Sequence, residues 1–283
     1  MGRHLTRISH QPSAATAKMP GGKCGLTQII LMTLVVGIVT VGCGFASSQD
    51  SGSMIREARP VSGITGVELA TGGKLFITVG ETESLEIEGG ENRIPLIRTR
   101  VQNGVLKIDG DKSFSLGSRE KLQYHLTVKW LNLIKISSSG DVQAPDLEVQ
   151  KLALIISSSG DLATGALTVP ALDIKISSSG DMKITELKGY KLMVNISSSG
   201  DLTIGGGAVE EQDIKISSSG DYDAKNLTGK RATVRLSSSG DATIHVSDAL
   251  NANTSSSGDV FYAGDPEVKK KSTSSGDVQK IAD

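Results

Sequence analysis

The pentapeptide Ser-Ser-Ser-Gly-Asp recurs along this chain at a nearly constant interval. It occupies 137–141, 157–161, 177–181, 197–201, 217–221, 237–241 and 255–259, and Thr-Ser-Ser-Gly-Asp stands at 273–277. Successive aspartates are 20 residues apart, except for the last two steps of 18. Such a period confines the chain to repeat architectures, in which each unit buries its apolar face only against its neighbours. A β-propeller needs ~40 or more residues per blade, so it is excluded.

Between the pentapeptides, apolar residues alternate with polar ones. Ile134 and Ile136 precede the first pentapeptide, and Leu154 and Ile156, Ile174 and Ile176, Val194 and Ile196, Ile214 and Ile216, and Val234 and Leu236 hold the same places later. A second alternation follows each aspartate, as in Val142 and Ala144, Met182 and Ile184, Leu202 and Ile204, and Ala242 and Ile244. Leu147, Leu167, Leu187 and Leu227 form a third apolar set. Period two is the signature of a strand, and serine triplets with glycine argue against helix. The predicted fold is all-β: a single-stranded parallel β-solenoid, wound as a right-handed β-helix with about 20 residues per coil. Coils stacked at ~4.8 Å would align equivalent residues in ladders. Composition agrees, since only 3% of the residues are aromatic while Gly is 33 of 283, and a narrow tube takes aliphatics more readily than rings.

The pentapeptide then reads as a corner. Gly140, Gly160, Gly180, Gly200, Gly220, Gly240, Gly258 and Gly276 are expected to supply a backbone conformation other residues avoid. Asp141, Asp161, Asp181, Asp201, Asp221, Asp241, Asp259 and Asp277 are expected to bond turn amides nearby. The middle serine of each triplet is expected to point inward. Carboxylates stacked at ~4.8 Å repel by about 0.9 kcal/mol per neighbour even in water, so something must relieve them. A ladder of weak cation sites is the alternative to local hydrogen bonds, but one carboxylate per coil is a poor calcium site. An outward basic column (Lys135, Lys175, Lys215, Arg235, Lys271) flanks the corner and discourages lateral strand pairing.

The N-terminus has a different build. Residues 1–42 carry four basic residues and no acidic one. An uncharged apolar run, Ile29–Val41, follows them, which is the build of an export signal and short of the ~20 residues of a membrane span. Thr40-Val41-Gly42-Cys43-Gly44 then resembles a lipobox, making Cys43 the expected site of lipidation. Lipid chains there would hold the protein on a membrane. Residues 43–60 read as a flexible tether, 61–130 as a β-rich cap and 131–283 as a solenoid of eight coils. The expected location is the bacterial cell envelope. Beyond residue 42 the net charge is near −5, which argues against a nucleic-acid partner.

In the cap, Gly72-Gly73, Gly89-Gly90 and Asn103-Gly104 punctuate strand-like runs; Asn-Gly between apolar runs signals a hairpin. The succession Gly72-Gly73-Lys74-Leu75-Phe76-Ile77-Thr78-Val79-Gly80, Leu85-Glu86-Ile87-Glu88-Gly89 and Gly104-Val105-Leu106-Lys107-Ile108, followed by serial Ser-Gly-Asp repeats, resembles the bacterial family "putative auto-transporter adhesin, head GIN domain". Gly73-Lys74-Leu75 stands where the family name has Gly-Ile-Asn. The resemblance covers roughly 60–283. It implies a β-solenoid that is exported or lipid-anchored, with an adhesive or scaffolding role toward a surface protein or glycan.

Catalysis finds little footing. Past the export signal there are two histidines, His125 and His245, and no cysteine beyond Cys43, so neither zinc nor a catalytic His has support. Five coils of identical length leave no inserted loop of the kind that carries chemistry in polysaccharide-acting β-helices, which are the enzymatic alternative. The expected protein is non-catalytic and needs no cofactor.

Overall fold

The computed structural model describes residues 53–111 and 122–282. Among them the chain is built from strands, with one 3-10 turn at Ile94–Leu96. The export signal, Cys43 and most of the tether lie outside the described residues.

The predicted solenoid is present. The strand before each corner pairs in parallel with its counterpart one repeat on: Leu133–Ile136 with Lys151–Ile156, then Ala171–Ile176, Lys191–Ile196 and Gly207–Ile216. The register is the sequence period itself, since Ile156 faces Ile136 and Ile176 in turn. The strands after the corners pair likewise, from Asp141–Ala144 through Leu162–Thr168 and Met182–Lys188 to Leu202–Ile204. Where the period falls to 18, the two missing residues are absorbed between the corners: Ala224 still faces Ile244, but Arg231 faces Ala249.

The inward columns are those the alternation requires. Ile134, Ile136, Leu154, Ile156, Ile174, Ile176, Ile214 and Ile216 are buried, as are Val142, Met182, Leu202 and Ala242 beyond the corner. A ring enters this column once, at Tyr222, which is fully buried. Its paired neighbour is Ala242, and Ala224 and Ala232 are buried too, so small residues make room for it. Its hydroxyl donates to Oε1 of buried Gln212 at 2.9 Å. Burial keeps that phenol in its neutral form, with its pKa raised. Of the outward basic column, Lys175, Lys215, Arg235 and Lys271 are exposed and Lys135 half-buried.

The stack continues beneath the first pentapeptide. Strands Gly66–Ala70 and Lys74–Val79 pair in parallel with Leu133–Ile136 and Asp141–Ala144, around a corner made by Thr71-Gly72-Gly73. Lys74 takes the place of the corner aspartate and faces Asp141. At Glu68 burial opposes ionisation, but the Ser137 hydroxyl and the ammonium groups of Lys135 and Lys107 outweigh it and hold the carboxyl below its ordinary pKa.

Antiparallel strands close this end. Ser84–Gly90 lies between Met54–Arg59 and Gln123–Val128, and Gln123–Val128 also pairs in parallel with Lys74–Val79. Ile97–Gln102 and Val105–Gly110 form the hairpin that Asn103-Gly104 predicts. Both turn residues have positive φ, 52° and 78°, as a tight hairpin turn requires.

Candidate functional site

The eight corners stack along one edge of the solenoid, bringing the predicted aspartates and glycines together in two ladders. Their chemistry differs from the local turn expected from sequence. Each aspartate accepts from the coil above: the Asp181 N–H donates to Asp161 Oδ1 at 2.9 Å, Asp201 to Asp181 at 2.9 Å, Asp221 to Asp201 at 2.8 Å and Asp241 to Asp221 at 2.8 Å. The ladder begins at Asp161 on Asp141, 3.3 Å, and runs on through Asp259 and Asp277, 2.8 and 2.7 Å. Thus each backbone amide sits beside the carboxylate of the preceding coil, and this contact offsets the repulsion expected of stacked like charges. Asp277 accepts the Val278 N–H, at 2.7 Å. That bond and the nearby Lys270 ammonium hold its carboxyl below the ordinary aspartate range.

The glycine expectation is corrected as well. None of the eight corner glycines is among the residues with positive φ. They are buried, and the constraint is proximity. A Cβ on Gly160, Gly180, Gly200, Gly220, Gly240, Gly258 or Gly276 would lie only 2.7 to 2.8 Å from the middle-serine carbonyl of the coil before, and nearer still to the glycine carbonyl there. The coil spacing itself therefore requires hydrogen at these positions. In the later coils the glycine N–H donates to that same serine carbonyl, as from Gly200 to Ser178 at 3.1 Å and Gly220 to Ser198 at 3.0 Å.

The serines play lesser parts. The middle residues, such as Ser158 and Ser178, are half-buried between exposed neighbours, so the glycine, not the serine, fills the inner side of the corner. The first serine ties coils together: Ser157 and Ser177 donate their hydroxyls to the carbonyls of Ile136 and Ile156, at 3.2 and 3.4 Å. The corner is an architectural device. Among the described residues, no cluster of three or more His, Cys, Asp or Glu side chains is arranged to hold a metal. His125 stacks on Phe76, with ring centroids 5.3 Å apart and planes 12° apart. His245 lies on another strand, Ala242–Thr254, and offers its carbonyl to Gln212.

A different feature stands out on the outer surface. Trp130, the chain's single tryptophan, is 48% exposed. It lies where the chain turns from the cap strand Gln123–Val128 into Leu133–Ile136. Beside it is an open groove of about 630 Å³ lined by Asn132, Glu148, Val149, Gln150 and Lys151. Trp130 stands twenty residues before Gln150, and from there a row of corner residues, one per coil, continues through Pro170 and Tyr190 to Glu210. The row is fixed by backbone bonds from Tyr190 N–H to Pro170 O, 3.1 Å, and from Glu210 N–H to Tyr190 O, 3.0 Å. Gln150 and Pro170 are exposed, and Tyr190 is 53% exposed. Sequence reasoning had not singled this place out. The available signal was a lone tryptophan in a ring-poor chain, on the turn leading into the first apolar alternation.

Fold and corner together define a class: a parallel β-solenoid whose repeated motif holds successive coils together. The chain belongs to the family described as "putative auto-transporter adhesin, head GIN domain", which matches residues 64–266. Solved structures share the fold. A putative adhesin from Parabacteroides merdae is similar with a TM-score of 0.74 at 24% identity, over 81% of this chain and 97% of that one. A putative lipid binding protein from Parabacteroides distasonis gives 0.68 at 21% identity, with the same coverage of 81% and 97%. A putative adhesin from Bacteroides fragilis gives 0.62 at 22%, again over 81% and 97%. No curated protein matches. The family is described as one of putative adhesins, and the solved structures share its fold.

Proposed function

We propose that this protein is an exported lipoprotein, anchored through Cys43 in the bacterial cell envelope, whose solenoid presents a ligand-binding surface without catalysing a reaction. The observation that carries the reading is Trp130. This chain fully buries Tyr124 and Tyr222, yet leaves its largest side chain half in water beside a groove. A tryptophan face left exposed next to polar side chains is a ready contact surface. The apolar run ending in Thr40-Val41-Gly42-Cys43 supports export and lipidation. The membrane is then one partner, through the anchor, and a surface protein or glycan the other.

Two measurements test this. Fatty-acid labelling in cells should mark the wild-type protein and not Cys43→Ala; label retained by the variant removes the anchor. Purified full-length protein in detergent should sediment with envelope fragments in a saturable manner; wild-type protein that binds no envelope material removes the adhesive role.

A further inference from the structure

We infer that the groove at Trp130 and the row leading to Tyr190 form a binding site for an uncharged oligosaccharide. The inference rests on the binding role proposed above and names its ligand class. The groove combines one large aromatic face with side chains that donate and accept hydrogen bonds: Asn132, Gln150, Glu148 and Lys151. Its sole aliphatic lining residue is Val149, which is half-buried. A membrane-inserting surface would need an apolar surround, which is missing here. The carboxylate of Glu148 and the ammonium of Lys151 balance, so the groove has no net charge to attract a polyanion. What fits is a molecule with a flat C–H face to lie on the indole and hydroxyl groups at its rim to meet amide, carboxylate and ammonium. A pyranose ring has that build.

The row gives the site length. Gln150 and Tyr190 are two coils apart, which is about 10 Å at ~4.8 Å per coil, and exposed Pro170 lies between them. Trp130 stands beyond Gln150 at the groove. A single sugar on Trp130 would not reach Tyr190. An extended chain of several would contact both rings, so affinity should rise with oligomer length.

Because Trp130 is the chain's one tryptophan, its emission reports the site directly. Full-length protein in detergent is titrated with neutral hexasaccharides of glucose and of N-acetylglucosamine, the matching disaccharides, and a uronic-acid hexamer. The expected result is a saturable change in Trp130 emission with at least one neutral hexasaccharide, and binding at least tenfold weaker for the matching disaccharide. Tyr190→Ala should remove that length dependence. No response to the neutral series, or a response to the uronate alone, overturns the inference. Immobilised hexasaccharide should capture wild type at least tenfold better than Trp130→Ala. Gln150→Ala, which keeps the tryptophan and its fluorescence, should weaken the titration at least threefold; unchanged binding in both variants refutes the site. Envelope fragments separate this from the broader reading. If wild type and Trp130→Ala sediment equally with them, and periodate oxidation of the fragments changes nothing, the saccharide site is wrong while the adhesive role stands. If wild type binds no fragment at all, the adhesive role fails.

Discussion

Replacing Gly200 by alanine tests the reason for the glycine ladder. The new Cβ would lie 2.7 Å from Ser178 O and 2.9 Å from Ile176 Cγ2, and closer still to Gly180 O. Carbon–oxygen contacts normally begin near ~3.3 Å, so two coils would have to separate by about half an ångström or more. Separation lengthens the Gly200 N–H to Ser178 O bond, now 3.1 Å, and the Asp201 N–H to Asp181 Oδ1 bond, now 2.9 Å. Overpacking costs ~1–3 kcal/mol, and each weakened hydrogen bond adds up to about 1 kcal/mol. The expected loss is therefore ~2–5 kcal/mol, large against a typical total of ~5–15. Urea unfolding followed by circular dichroism measures it, and hydrogen exchange at the Asp201 amide locates it. Gly200→Asn supplies the discriminating comparison. Asparagine tolerates the left-handed region better than alanine does, so it would partly rescue a glycine kept for its φ. At a site closed by proximity it should be no better than alanine. Gly63 is the counter-example: φ is +68° and nothing lies within 4 Å of its would-be Cβ, so Gly63→Asn should cost under ~1 kcal/mol. A Gly200→Ala loss below ~1 kcal/mol, or a clear advantage of Asn over Ala at 200, refutes the close-approach account.

Further expectations follow from the ladders and the core. Asp181→Ala removes the acceptor for the Asp201 amide and should cost about 1 kcal/mol, with faster exchange confined to the corners on either side; uniform exchange across the stack would show that the bond does not act locally. Chelator should leave the melting temperature unchanged, because one oxygen of each corner carboxylate already accepts an amide; a fall on chelation, reversed by calcium, would contradict this. The carboxyl of Asp277 is held below its unfolded value, so its contribution is present above the unfolded pKa and is lost as pH falls through the folded one. Protection of the Val278 amide should therefore drop on acidification below about pH 4, and Asp277→Ala should abolish that pH dependence; an unchanged profile in the variant would assign it elsewhere. Tyr222→Phe strips buried Gln212 of its 2.9 Å donor and should destabilise the protein by ~1–2 kcal/mol, measured by the same urea titration; a neutral result would mean that Gln212 finds another partner.

What was legible in the sequence was whatever the period alone determines. Twenty-residue spacing fixes which residues stack, and alternation fixes which face inward, so Ile136, Ile156 and Ile176 could be assigned to one buried column from spacing alone. The chemistry of the corner was less legible because a linear reading compares a residue with its sequence neighbours. Asp161 sits next to its own turn in sequence, yet its donor is the amide of Asp181, twenty residues away. For the same reason glycine looked like a turn residue, when its constraint is the carbonyl of the coil below. In a stacked repeat the nearest neighbour of a residue is its own equivalent, and local rules for turns do not see it. Trp130 escaped notice for the converse reason. It stands twenty residues before Gln150 and so heads that row, but the row repeats no residue type, and a search for repeated identities passes over it. A structural motif can recur in every coil because every coil needs it, whereas a recognition surface needs the coils to differ. The row Gln150, Pro170, Tyr190, Glu210 differs at every step while the corners beside it scarcely vary. Variation laid on an invariant frame would let this fold acquire the proposed ligand without disturbing its stacking, with specificity set by the row residues that differ from coil to coil.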